Sequence, residues 1–163
     1  MSSQLRVDKI LPVDGAPTSG GGGIIQITQS QDGKEQVNFN TDSETDLMTA
    51  QITPKFATSK ILIIINCNGV GSQTSTHWQM RIRRNQPSTT YLPAVADYCG
   101  IDGNNGDLGY PCKIQLDSPA TTNTITYTIS GIRRDGSGLC YWSHQNGLSD
   151  ESESNLVLME VSA

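Results

Sequence analysis

The sequence predicts an all-β chain, and three observations carry that prediction. Apolar residues recur at every second position in several windows, β-branched and aromatic side chains fill those positions, and Asp-Gly or Asn-Gly pairs separate the windows. No window of twelve or more residues keeps a helical stripe.

In chain order, the first 23 residues stand apart. Leu5, Val7, Ile10, Leu11 and Val13 are interleaved with charges, Pro12 and Pro17 prevent a long helix, and Gly20 to Gly23 form a flexible joint. Such a stretch cannot bury its apolar residues on itself, so residues 1–23 read as an arm that docks on something else, and residues 24–163 as the domain. A plain disordered tail is the bland alternative. Within the domain, 24–28 begins the strands. Val37 and Phe39 alternate with Asn38 and Asn40, and 48–53 follows. Ile61-Leu62-Ile63-Ile64-Ile65 shows no alternation, so it predicts a strand covered on both faces. Trp78, Met80 and Ile82 alternate with His77, Gln79, Arg81 and Arg83, and Ile125, Tyr127 and Ile129 alternate with threonines and Ser130. Further strands are predicted at 112–117, 138–143 and Asn155 to Val161. In the strand 138–143, Tyr141 and Trp142 point to opposite faces, so one of them is core. In the terminal strand Leu156 and Leu158 lie on one face and Val157, Met159 and Val161 on the other, so an edge position would leave apolar residues for neighbouring copies. Nine or ten short strands in about 140 residues predict an antiparallel sandwich or jelly roll.

Composition narrows the function. Ser, Thr, Asn and Gln make 54 of the 163 residues, while charged residues are 17%. That is a wet, weakly charged surface, unlike a disordered polyelectrolyte or a coiled coil. A net charge of −5 argues against a phosphate-driven nucleic-acid binder. The longest apolar run is five residues, too short to span a bilayer, and no export signal is visible at the start. The four cysteines, Cys67, Cys99, Cys112 and Cys140, have no metal-knuckle spacing and read as free thiols. Cys99–Cys112 is the first candidate pair should a disulfide form outside the cell.

Three segments, Ile52-Thr53-Pro54-Lys55-Phe56-Ala57-Thr58-Ser59-Lys60-Ile61-Leu62-Ile63, Leu116-Asp117-Ser118-Pro119-Ala120-Thr121-Thr122 and Leu156-Val157-Leu158-Met159-Glu160-Val161, resemble stretches of small structural proteins and fibre tips from tailed phages, notably cyanophages. The opening Leu5-Arg6-Val7-Asp8-Lys9-Ile10-Leu11-Pro12-Val13-Asp14-Gly15 resembles the start of the same proteins. Together they cover about a quarter of the chain. The resemblance implies a homotrimeric jelly roll of the tumour necrosis factor or complement-globular-head type. It implies a virion component, assembled in the host cytoplasm and attached to other virion proteins through the arm. Leu156, Val157, Leu158, Met159 and Val161 would then lie at the trimer interface. A short tail fibre or fibre tip that binds a host surface glycan or protein is the first reading, and a capsid cement or decoration protein is the alternative.

Chemistry is weakly signalled. His77 lies on an alternating strand and His144 at a turn, with no nucleophile motif such as G-x-S-x-G nearby, so no catalytic residue is assigned. Gly20 to Gly23 lacks the ending of a phosphate loop, and no cofactor is implied. Asp102-Gly103-Asn104-Asn105-Gly106-Asp107 offers oxygen ligands for calcium, but the spacing misses the helix-loop-helix pattern and successive β-turns explain it, so no metal is assigned. A sugar-degrading enzyme needs paired carboxylates in a groove, and Asp150, Glu151 and Glu153 are weighed for that role, but a solvated Ser-rich turn accounts for them better. A soluble signalling-type trimer is a third class, disfavoured by the missing export signal. Arg81, Arg83, Arg84, Arg133 and Arg134 form basic spots, read as a solvated strand face with ion pairs before a patch for anionic sugars or acidic partners. Tyr91 to Pro111 is the longest stretch without strand periodicity. Its tyrosines, Tyr91, Tyr98 and Tyr110, are the candidates for host recognition, since amphipathic rings suit interfaces.

Overall fold

The computed structural model describes residues 23–31, 37–39, 42–68, 71–72, 76–92, 112–142 and 153–162. The arm, the segment 93–111 with Cys99, Tyr98, Tyr110 and the Asp102–Asp107 turn, and His144 lie outside them.

The described residues form eleven strands and no helix: β1 (Ile24–Gln31), β2 (Val37–Phe39), β3 (Thr45–Ile52), β4 (Lys60–Asn66), β5 (Gly71–Ser72), β6 (His77–Arg84), β7 (Thr90–Tyr91), β8 (Cys112–Asp117), β9 (Ile125–Asp135), β10 (Cys140–Trp142) and β11 (Asn155–Val161). The all-β sandwich predicted from period-two alternation is the observed fold. One antiparallel sheet has the order β1-β11-β4-β8 and the other β3-β9-β6-β7, with a small ladder β2-β10-β5 beside them. Two short strands, β5 and β7, escape the sequence pattern, because two residues carry no period. β9 runs on through Arg133 and Arg134 to the predicted turn, where Gly136 takes φ 77°, a left-handed value that costs glycine little.

Both sheets feed one core. β6 contributes Trp78, Met80 and Ile82, β9 contributes Ile125, Tyr127 and Ile129, β4 contributes Ile61, Ile63 and Ile65, and β11 contributes Leu156 and Leu158. Cys140 and Trp142 of the small ladder join them, while Tyr141 is half-buried, as alternation requires. Along one side β1 lies against β3: the Thr28 hydroxyl donates to the Gln51 carbonyl at 3.0 Å and the Gln26 amide to the Thr53 carbonyl at 2.6 Å.

Two polar devices hold the interior. Glu160, fully buried on the core side of β11, accepts the backbone N–H groups of Lys55 at 2.8 Å and Phe56 at 3.2 Å, and the Gln26 amide at 2.6 Å. A buried carboxylate is tolerated only with such donors, and here they fix the β3–β4 connection. Asp117, at the end of β8, accepts the Tyr127 hydroxyl and the Arg84 guanidinium of the opposite sheet.

Two expectations change. β11 is a central strand between β1 and β4, not an edge, and its Leu156 and Leu158 are fully buried in the protomer's own core, which leaves them no surface for another copy. β4 is not covered on both faces. Ile61, Ile63 and Ile65 are buried, whereas Leu62 and Ile64 are only half-buried on the outer side. The lack of alternation in Ile61 to Ile65 therefore marks a strand whose second apolar face is only half covered by the described residues.

Candidate functional site: two opposed faces of the sandwich

The outer face of the β1-β11-β4-β8 sheet is apolar. Residues paired across antiparallel strands point the same way, so the register places Ile27, Met159, Leu62 and Leu116 in one row. Val157, Ile64 and Ile114 form the next row, which begins at Gln29 on β1. Ile114 is 63% exposed, Ile27 56% and Leu116 47%. Val157, Met159 and Val161 are half-buried on this side.

The two outermost strands are turned inside out. β8 directs Lys113, Gln115 and Asp117 toward the interior side and Ile114 and Leu116 outward. β1 likewise sets Gln26 and Thr28 on the inner side and Ile27 outward. In a protomer that met only water, the hydrophobic effect would favour the opposite orientation. Such a contiguous apolar face is the kind of surface that marks an interface.

The outer face of the β3-β9-β6-β7 sheet is polar and densely hydrogen-bonded. Glu44 accepts the Ser130 hydroxyl at 2.6 Å, the Tyr91 hydroxyl at 2.7 Å and the Arg83 guanidinium at 3.2 Å. Burial alone would raise its pKa. The hydroxyls of Ser130 and Tyr91, with the positive charges of Arg83 and Arg81, outweigh burial and hold it below the ordinary value. Arg83 also grips Asp46 at 2.9 and 3.0 Å. Beside this network Gln79 Oε1 accepts Arg81 Nε at 3.0 Å and Arg134 Nε at 3.0 Å, and the Arg81 guanidinium sits 5.5 Å from the Tyr91 ring centre.

The residues singled out in the sequence thus fall in different places. Val157, Met159 and Val161 lie on the apolar face. Tyr91 closes the polar network at the end of β7, and is the one recognition tyrosine among the described residues. His77 shares the outer face of β6 with Gln79 and Arg81, its Nδ1 4.0 Å from an oxygen of exposed Asp135. Among the described residues no group of three or more His, Cys, Asp or Glu side chains is placed to hold a metal ion, and no helix is long and apolar enough to cross a membrane. Ile27, Leu62, Ile64, Ile114 and Leu116 were not assigned to a surface by sequence, although the unbroken run Ile61 to Ile65 carried a signal for two of them. Glu44 and Gln79 carry no sequence signal, since their roles arise from partners 47 and 55 positions away.

No family model matches the chain, and no curated protein matches it. Solved structures do share the fold. A structure of infectious bursal disease virus, Gt strain, is similar over 98% of this chain and 43% of that one, at 12% identity and a TM-score of 0.51. A mutant VP2 protein of infectious bursal disease virus, from derived T=1 particles, is similar over 93% of this chain and 40% of that one, at 12% identity and a TM-score of 0.50. The chain therefore spans less than half the length of these proteins, and the likeness is one of fold.

Proposed function

We propose that the protein is a non-enzymatic structural component of a virus particle, and that it works as a homotrimer joined through the outer face of the β1-β11-β4-β8 sheet. The observation that carries this reading is the inverted polarity of β1 and β8, which display Ile27, Ile114 and Leu116 while Gln26, Gln115 and Lys113 face inward. The occupant is a second and third copy of the same chain. An aliphatic surface has no charges to pair and can pack on apolar surface of neighbouring copies, and such contacts between identical chains close into rings. The phage-protein resemblance supports three copies, and the fold shared with proteins from virus particles supports the virion role. Sedimentation equilibrium of the full chain tests it: a trimer at micromolar concentration is expected, and a stable monomer overturns it.

Within that role the finer reading is a short tail fibre or fibre tip of a tailed phage, attached by residues 1–23 and presenting its polar face and the segment after Tyr91 to the host surface. Immunogold labelling of particles separates it from a head-decorating protein by where the label falls. Particles that take up a chain lacking residues 1–23 at normal copy number would remove the docking role from the arm.

A further inference from the structure

We propose that the outer face of β6 and β9 carries a binding site for a carboxylated pyranose, a uronic-acid type of sugar, built on Arg81, Arg134, Gln79 and Tyr91. This names a ligand class for the attachment reading above and rests on that reading for its biological use.

The alternation of β6 places Gln79 and Arg81 together on the outer face. Arg134 reaches them from β9 beside an irregularity in register: His77 pairs with Asp135 and Trp78 with Arg133, which leaves Arg134 as the extra residue of a bulge. Bulges re-aim side chains, and this one brings a second guanidinium onto Gln79. Two cations then share one neutral oxygen, Gln79 Oε1. Among the described residues the arginine ion pairs of this face go to Arg83, and none to Arg81 or Arg134. The Glu44 carboxylate offsets part of the Arg81 charge, but among the described residues no carboxylate bridges the two guanidiniums; like charges so held repel each other, and an anion seated between them relieves that repulsion.

The surroundings select the kind of anion. Tyr91 is half exposed, and Arg81 holds its ring from one side, which gives a platform suited to the apolar face of a sugar ring next to the paired guanidiniums. Glu44 and Asp46 lie just beyond, on Arg83. Their negative charge disfavours a polyanion, while their oxygens are acceptors for sugar hydroxyls. One carboxylate, a ring and several hydroxyls match that arrangement, whereas a bare polyphosphate does not. The site faces away from the apolar sheet, so trimer formation leaves it open.

The test uses the full-length protein on immobilised oligosaccharides that end in glucuronate, with the same chains ending in glucose as control and sodium sulfate as competitor. The expected result is binding at least tenfold tighter to the glucuronate chains, a tenfold or greater loss in Arg134→Gln and in Arg81→Gln, and poor displacement by sulfate. Arg134 is exposed, so an unchanged melting temperature in Arg134→Gln shows that the fold is intact. Equal binding to both chains, no binding to either, or displacement by sulfate as effective as by free glucuronate overturns the proposal. Because purified protein is used, its failure is distinct from a failure of the virion reading, which particle labelling decides.

Discussion

The Tyr127 hydroxyl donates to Asp117 Oδ2 at 2.8 Å, and this hydrogen bond ties the two sheets together at a carboxylate that Arg84 holds at 2.7 and 2.9 Å. All three groups are largely buried, and burial with the Asp117 charge pushes the Tyr127 phenol well above its ordinary pKa. Tyr127 therefore stays a protonated donor throughout the physiological range. Replacing it with phenylalanine removes one charge-assisted bond, an expected loss of about 1.5–3 kcal/mol. Asp117→Ala strands the Arg84 guanidinium in the interior and is expected to cost more, about 3–5 kcal/mol. Urea unfolding of the two variants checks the order; equal losses would mean that Arg84 finds another partner.

Glu44 gives the fold an acid-sensitive point. Its pKa lies below the ordinary 4.5, so the unfolded chain binds its proton more readily than the folded one. The stability it contributes is fully present above about pH 4.5, and is lost as pH falls below that value through the folded pKa. In Glu44→Gln the melting temperature should be lower at pH 7, and its decline between pH 5 and pH 3 shallower, than in the parent (about these limits, from the linkage relation). Parallel acid limbs would show that Glu44 titrates alike in both states.

How far the sequence discloses this architecture differs from strand to strand. Trp78-Met80-Ile82 and Ile125-Tyr127-Ile129 announce strands and core together, because a period of two and bulky side chains leave one buried face. In Cys112 to Asp117 the same alternation is visible, but its sense is not: periodicity says that Ile114 and Leu116 share a face, and not that this face points out. That choice depends on what covers the sheet, which the alternation within one strand does not encode. Ile61 to Ile65 shows the same limit from the other side. A strand apolar on both faces is legible, while the cover for Leu62 and Ile64 is not. The polar sites are the least legible, since Tyr127 meets Asp117 across two different sheets and Gln79 meets Arg134 only because β9 is bulged.

The three cysteines among the described residues should react in two classes. Cys112 is exposed, while Cys67 and Cys140 are buried, with Cys67 Sγ 3.8 Å from Met80 Sδ. Burial raises the Cys140 thiol to about 11, an effect that the Arg133 charge only partly offsets. Since the thiolate is the nucleophile, Cys140 should stay unmodified by a maleimide at pH 8 in the native protein and react only in urea. Peptide mapping should find Cys112 labelled before Cys67 and Cys140. Early label on Cys140 would mean that the β2-β10-β5 ladder opens readily.

The sharpest separation of fold from assembly lies between Ile114 and Leu158. Both are aliphatic and both sit in the β1-β11-β4-β8 sheet, but Leu158 is fully buried in the core and Ile114 is 63% exposed on the opposite side. Leu158→Ala opens a cavity and should lower stability by about 2–5 kcal/mol, whatever the oligomeric state. Ile114→Asp removes nothing from the core, so the protomer's own packing should survive. A carboxylate buried between copies, however, has no partner in the aliphatic rows of Val157, Ile64 and Leu116, and its desolvation opposes association. Sedimentation of Ile114→Asp at micromolar concentration should give monomers with the β-rich circular dichroism of the parent. A variant that keeps the parent's oligomeric state would remove this face from the proposed interface, and the inverted polarity of β8 would then require a different partner.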